Sequence, residues 1–269
     1  MNFDYFAKLA AEQACPKEGA VEAHDLASGF VDGCSVWATR AGNEKNNARR
    51  CYRERAREVK LRLPGQLQLD PWPPKRLHAA WFALEVPFEL LSPWYSKDDR
   101  PFHVLDNPVR KDRVFGVPFM AAASWKGMLR WACRMQAGLR EHLAQGKRFK
   151  DWSDPAWILH LFGKEKKEEK EHFQQGTLAF YPTWFDEIGF EVINPHDRAR
   201  RAGKQPIYYE VVPGKRPDQE GGEGTLRLLH APWPGMKGTM QLADWLPNLL
   251  RAIEDLLTTY GISAKRTVG

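Results

Sequence analysis

Three stretches of the sequence have residue types and spacing suited to holding phosphate. The first is Ser124-Trp125-Lys126-Gly127, which runs straight into MLRWACRMQAGLREHL, a segment with apolar residues at helical spacing. A Ser just ahead of a helix can accept a bond from an orphan backbone N–H, so Ser124 is a candidate N-cap. Lys126 beside free amides at a helix start suits an anion; an ordinary cap with a solvated lysine is the other reading. The second stretch is 197–204, where Arg198, Arg200, Arg201 and Lys204 place four cations in eight residues. A phosphate partner that orders a hairpin tip explains them, and so does a soluble loop. The third is RRCYRERAREVKLR, residues 49–62, with seven basic side chains against two acidic ones. Its composition favours helix. Pairs such as Glu54–Arg57 fit a solvated helix, whereas the surplus of cations fits an RNA backbone or a docking partner.

The elements that must position these residues follow from periodicity and breakers. HAAWFALEVPFELL, residues 78–91, reads as a strand with Trp81, Ala83 and Glu85 on one face and Phe82, Leu84 and Val86 on the other. Pro87 places it at an edge or bends it. VLDNPVRKDRVFGVPF holds too many Pro and Gly residues for a helix. A helix is expected from about Ser124 to Gln145, stopped by Gly146. A shorter one is expected within 152–163, with an Asp154 cap, Pro155 at its first position and Gly163 at its end. Residues 164–172 are a mixed-charge run. Residues 176–183 and 225–230 read as strands, and 191–215 as two extended arms around the basic tip. MQLADWLPNLLRAIEDLLTTY, residues 240–260, is an apolar-periodic helix bent or begun at Pro247. In the acidic first part of the chain, a short helix is expected near 6–14, loop or short strand over 25–37, and a turn over 43–47. LPGQLQLDPWPPK is a linker or wrapped loop, which sets a boundary near residue 75.

At 269 residues the chain can bury a real core. A hydrophobic content of 43% argues for a globular protein, not a disordered one. Net charge of +6 suggests a polyanionic partner without dictating a fold. Eleven Trp beside forty Lys and Arg fit single-strand binding, although each Trp taken alone reads as a core residue. The four cysteines, Cys15, Cys34, Cys51 and Cys133, have neither zinc-ligand spacing nor a disulfide framework. With no apolar run near 18 residues and no secretory pattern at the start, a cytoplasmic protein is expected.

The run Asp106-Asn107-Pro108-Val109-Arg110-Lys111-Asp112, then Val117-Pro118-Phe119, then Ser124-Trp125-Lys126-Gly127-Met128-Leu129-Arg130 resembles the signature of the RAMP (repeat-associated mysterious protein) superfamily of CRISPR-associated RNA-binding subunits. Ala121-Ala122-Ala123 replaces the family's Pro-Gly-Ser turn, which removes the Gly expected to let RNA approach the backbone. Leu161-Phe162-Gly163 matches the Leu-Phe-Gly after the family's first helix. Glu191, Asp197-Arg198, Gly203 and Glu210-Val211-Val212-Pro213-Gly214 resemble its thumb hairpin, and GISAKRTVG resembles its C-terminal Gly-rich loop with Ser263 in place of the middle Gly.

The resemblance covers about residues 78–269. It implies an α+β protein with a ferredoxin-like (RRM-like) β-α-β-β-α-β core, an RNA-binding domain over 76–269 with its thumb at about 191–215, and an unassigned extension with a basic helix over 1–75. It implies a crRNA-binding backbone subunit of a type III (Csm/Cmr-type) CRISPR effector complex. The partners would be crRNA, complementary target RNA, other RAMP backbone subunits and the large and small subunits. Ser124, Lys126 and Arg130 would hold guide phosphates, Arg198, Arg201 and the thumb would kink the RNA, and Lys265 would lie near the Gly-rich loop. In slicing members the Asp of Asp-Ser-Pro-Val cleaves target RNA, which points to Asp106 as a catalytic residue acting as base on a 2′-OH or as a ligand for Mg²⁺. An Asx-turn residue is the alternative for Asp106. Two further readings stand beside the slicer. One is a non-catalytic capping subunit. The other is a crRNA-processing endoribonuclease using His24, His103 or His196.

Overall fold

Alternation decides the central sheet. Strand β1 (Phe82–Glu89) pairs antiparallel with a late strand, Glu223–His230, placing Leu84 opposite Leu228 and Val86 opposite Leu226 on one face and Glu85 opposite Arg227 on the other. The faces are those expected from the sequence, and Pro87 lies on an edge strand of the described sheet, where its missing N–H costs no ladder bond. The computed structural model of the chain describes residues 43–57, 61, 63, 65, 68–73, 75–98, 103–112, 115–164, 175–197, 202–203, 206–233, 236 and 240–263. The expected helix at 6–14, the segment 25–37, most of the mixed-charge run and the terminal strand lie outside the described residues.

In chain order the elements are helix α1 (Asn43–Ala56), β1, β2 (Phe119–Met120), helix α2 (Ala122–Arg134), helix α3 (Ala156–Phe162), β3 (Leu178–Phe180), β4 (Thr183–Trp184), β5 (Gly189–Ile193), β6 (His196–Asp197), β7 (Ala202–Gly203), β8 (Ile207–Val211), β9 (Glu223–His230) and helix α4 (Leu242–Asp255). The central sheet has the order β1-β9-β3, all antiparallel. The fold is α+β, with the chain crossing from β1 through α2 and α3 to β3, and β9 lying between the two strands.

The inner face of the sheet carries the main core. Trp125, Leu129 and Ala132 of α2, Ile158, Leu161 and Phe162 of α3, and Trp245, Leu249 and Ile253 of α4 pack against Leu226 and Leu228. Trp94, Trp125 and Trp245 are fully buried, so these tryptophans are core and not stacking platforms. Helix α2 runs into a π-helical turn at Met135–Leu139 and a last segment, Arg140–Ala144, before Gly146 stops it with φ +74°. Among the described residues, no helix is long and apolar enough to cross a membrane.

Three local expectations are corrected. Residues 43–47, read as a turn, are the first part of α1, because the basic helix starts six residues earlier than its cationic run. Helix α2 starts at Ala122, with Ala121 as its cap and no side-chain capping bond, so Ser124 sits inside the first turn. The three alanines are strong helix formers, and the carbonyl of Ala121 accepts N–H bonds from Ser124 at 2.9 Å and Trp125 at 3.1 Å. Asp154 does not cap α3, whose cap is Pro155, because its carboxylate is taken by arginines of α2.

On the outer face, Leu61, Leu63, Gln68 and Trp72 line a cleft with Glu223, Thr225 and Arg227 of β9. The Leu61 N–H donates to the Asp186 carbonyl at 2.7 Å, and Trp72 meets Tyr181 edge-on at 4.8 Å. The cleft, about 520 Å³, sets Asp70, Glu85, Asp186 and Glu223 against Arg227. Among the described lining residues the carboxylates outnumber the one arginine, which disfavours phosphate in this cleft.

Candidate nucleic-acid interface

The loop from His103 to Asp112 is extended because Pro108 forbids helix and short bridges hold it on both sides. Val109 bridges Lys97 and Lys111 bridges Pro118, and the Arg110 N–H donates to the Ser96 carbonyl at 2.7 Å. Asp106 stands at the outer end of this loop with 71% of its side chain exposed, in an ion pair with Arg49 of α1 at 2.7 Å. The Asx-turn reading fails on simple grounds: the residue two positions on is Pro108, which has no N–H to donate. Asp112 makes the local turn instead, accepting the Phe115 N–H at 2.9 Å.

Beneath Asp106 lies a buried polar cluster that joins the loop to the ribbon of β5 and β8. β5 and β8 form a two-stranded ribbon, with Phe190 opposite Glu210 and Val192 opposite Tyr208. The fully buried Glu210 accepts Lys111 Nζ at 2.8 Å, the Val109 N–H at 3.0 Å and the Tyr52 hydroxyl, and its own N–H donates to the Asn107 carbonyl at 3.0 Å. His103 Nε2 sits 3.5 Å from the same carboxylate, and its Nδ1 accepts the Leu105 N–H at 3.0 Å. Burial pushes the Glu210 carboxyl up, but Lys111, His103 and Tyr52 more than offset it and hold it below the usual carboxylate range. His103 is 2% exposed in this cluster, so it is a structural histidine with no path to an RNA hydroxyl. His24 and the His196 side chain lie outside the described residues.

Helix α1 closes the cluster from above. Tyr52 and Ala56, four residues apart, are buried against Val104, Leu105, Ile188 and Phe190. The arginines beside them also turn inward: Arg53 stacks over the Tyr208 ring at 3.6 Å, and Arg57 lies over Phe190 at 5.6 Å. The basic helix is thus docked on the β5–β8 ribbon, while Arg50 and Arg57 remain exposed.

The signature on α2 divides. Lys126 is exposed in the second turn and Ser124 is half-buried in the first. Arg130 is committed to Asp154, with Nη2 at 2.7 Å and Nε at 3.1 Å, and Arg134 grips the same carboxylate at 2.6 Å. Burial raises the Asp154 carboxyl, and the two arginines and the Trp152 indole N–H overcome that and hold it low. Arg198, Arg200, Arg201 and Lys204 of the thumb tip lie outside the described residues, as does Lys265. The start of the Gly-rich loop is placed: Gly261 has φ +75°, the Ile262 carbonyl accepts the Trp94 indole N–H at 3.2 Å, and Ser263 Oγ accepts the Tyr95 N–H at 3.0 Å.

The RAMP superfamily model matches residues 87–269, which include the His103–Asp112 loop, the β5–β8 ribbon and the turn at Gly261. The chain belongs to the RAMP superfamily. No curated protein matches it in sequence. Among solved structures, the chain is similar to one in the type III-B Cmr-beta complex bound to cognate target RNA. That match has 13% identity and a TM-score of 0.44, covering 70% of this chain and 56% of that one. It is also similar to a chain of the Csm3-Csm4 subcomplex of the type III-A CRISPR-Cas interference complex, at 13% identity and a TM-score of 0.37, covering 66% and 67%. This RAMP chain therefore spans little more than half the length of its Cmr-beta counterpart.

Sequence reasoning missed Arg49, Tyr52, Lys111 and Glu210 as one constellation. The available signal was Tyr52 and Ala56 at helical spacing inside the arginine run, and Glu210 inside the apolar strand IYYEV.

Proposed function

We propose that this RAMP chain is a crRNA-binding backbone subunit of a type III CRISPR ribonucleoprotein complex and that it cleaves guide-complementary RNA at Asp106. The observation that carries the reading is the placement of Asp106: an exposed carboxylate on a loop fixed to the base of the thumb by Glu210. A thumb that splays RNA bases would present the neighbouring phosphodiester to a carboxylate held in this way. Asp106 takes the proton of the 2′-OH, the 2′-oxygen attacks the adjacent phosphorus, and the bond to the 5′-oxygen breaks. That oxygen leaves with a proton from water. Lys126, Ser124 in the first turn of α2, Lys265 and the thumb cations Arg198, Arg200, Arg201 and Lys204 are assigned to RNA phosphates. Completion of the β-α-β-β-α-β core by a terminal strand, and assembly with further RAMP, large and small subunits, belong to the same reading.

Among the described residues, no three His, Cys, Asp or Glu side chains converge on one point, and the cation on Asp106 is Arg49. These residues do not form a metal site of their own, and no step above is routed through Mg²⁺. An Mg²⁺ requirement stays part of the proposal only with RNA phosphates among the ligands.

The Arg49–Asp106 pair also favours a second reading, a non-catalytic capping subunit in which Asp106 merely secures α1. The experiment that separates them is cleavage of guide-complementary RNA by the reconstituted complex, wild type against Asp106→Ala, with and without Mg²⁺. Regular cuts that vanish in the variant while guide binding persists support the slicer. An unchanged pattern supports the cap.

A further inference from the structure

We infer that Arg49 is a second catalytic residue of this site, binding the scissile phosphate while Asp106 takes the 2′-OH proton; the inference rests on the slicing reading above. Arg49 lies outside the residues 87–269 that match the superfamily, on a helix the RAMP signature does not include.

Four observations converge on it. The guanidinium touches Asp106 through one nitrogen and one oxygen, Nη2 on Oδ2 at 2.7 Å, and not through a closed two-bond fork. Its Nε is shielded from solvent and has no hydrogen-bond partner among the described residues, so the exposed carboxylate is what fixes the charged end there. A pair this exposed on the Asp106 side adds little stability, which leaves the buried face of α1 to hold the helix in place. One turn along, Arg53 donates its Nε to the Arg49 carbonyl and stacks on Tyr208, a ring 37% exposed beside the exposed Val192 and Ile207 of the thumb ribbon. Asp106, Arg49, Arg53 and the Tyr208 ring are thus linked in that order, so RNA with a phosphate at Arg49 would meet a second cation and a part-exposed aromatic one helical turn on.

The chemistry asks for such a group. As the 2′-oxygen attacks, negative charge builds on the two non-bridging phosphate oxygens. A planar guanidinium with several N–H donors matches that charge better than an ammonium does. With Arg49 already hydrogen-bonded to Asp106, base and phosphate donor are set side by side before RNA arrives, so only a local turn of the guanidinium is left to make. Arg49 then turns a donor to the phosphate, and Asp106 is freed to accept the 2′-OH proton.

The test uses the reconstituted complex with bound guide and a saturating complementary RNA in single-turnover reactions. Arg49→Ala is expected to slow cleavage by about a hundredfold, with guide and target binding unchanged within about twofold, and added guanidinium ion to restore part of the rate. Arg49→Lys should keep an intermediate rate, since it retains charge but not the fork. Arg251→Ala, exposed on α4, should cleave like wild type. The inference is overturned if Arg49→Ala cleaves at the wild-type rate while Asp106→Ala does not. It is equally overturned if Arg49→Ala loses guide binding together with cleavage and guanidinium restores nothing, since Arg49 is then a strut. Wild-type cleavage by Asp106→Ala would instead remove the slicing reading itself.

Discussion

Lys111 and Glu210 meet at 2.8 Å inside the protein, Nζ on Oε2, with both side chains all but sealed from solvent. One belongs to the loop that carries Asp106 and the other to the thumb, so the pair fixes the relation between the proposed cleaving residue and the element that would splay RNA. A buried pair of this kind adds little net stability over an apolar replacement, because desolvating two charges costs about what their attraction returns. Its value lies in specificity: it admits one register of loop against ribbon and penalises the others.

Breaking the pair from one side is expected to be severe. Lys111→Met leaves Glu210 buried without its close cation, with Tyr52 and His103 still beside it, at a cost of about 3–5 kcal/mol. The double variant Lys111→Met, Glu210→Gln removes both charges and should cost less than the sum of the single changes. Urea unfolding of the four proteins measures this. Additive costs would show that the two residues do not act as a pair.

Three groups give stability a two-stage dependence on acid. His230 stacks on Trp245 at 4.6 Å, and burial, with His160 beside it at 3.3 Å, lowers its pKa from 6.5 to about 4. The folded state binds this proton less readily than the unfolded one, so its stabilisation is complete above about pH 6.5 and declines toward pH 4. Glu210 and Asp154, whose folded carboxyls are held below their ordinary values of 4.5 and 3.8, contribute fully above those values and lose their part as pH falls below them. His230→Phe keeps the ring contact and should flatten the loss between pH 6.5 and 4 while leaving the more acidic stage intact. Urea midpoints measured across pH 3–8 check this; an unaltered upper stage would assign that loss to other groups.

The sheet and the main helices were legible because their signals are local. Phe82, Leu84 and Val86 alternate against Ala83 and Glu85, and the apolar period of α4 survives Pro247 because that proline sits in its second turn, where few backbone bonds are lost. The thumb arms were legible from their flanking turns. Local composition did not show where charge would go. Arg49, Arg53 and Arg57 read as a solvated stripe, yet they face a carboxylate and two rings, and only the tertiary fold brings Asp106, Tyr208 and Phe190 to that helix. Ser124 misled for the opposite reason: capping chemistry was present, but three alanines upstream extended the helix past it.

Lys126 and Arg130 share the RAMP signature, but their surroundings assign them different work. Lys126→Ala removes an exposed cation and is expected to leave the melting temperature unchanged while lowering the salt dependence of guide binding by about one phosphate contact. Arg130→Ala strips one of the two arginines from the buried Asp154 carboxylate and should destabilise the α2–α3 packing with little change in that slope. Filter-binding titrations at several salt concentrations, paired with thermal melts, separate the two. A salt slope that falls in Arg130→Ala as far as in Lys126→Ala would show that Asp154 releases Arg130 to RNA.

Gly214 explains one glycine of the thumb signature in steric terms. A Cβ there would lie 2.5 Å from the Ser92 carbonyl carbon and 2.7 Å from the Pro93 nitrogen, both backbone atoms that cannot swing aside. Yet the two strands of chain must approach this closely, because the preceding Val212 exchanges both backbone bonds with Trp94, each at 2.9 Å. Gly214→Ala therefore forces the thumb exit away from the loop after β1, at about 1–3 kcal/mol. The displacement is expected to reach the Gly-rich loop, since Trp94 also donates to the Ile262 carbonyl. Hydrogen exchange should show faster exchange at Trp94, Val212 and the Trp94 indole together. Exchange confined to Val212 would mean that the loop yields without transmitting the strain.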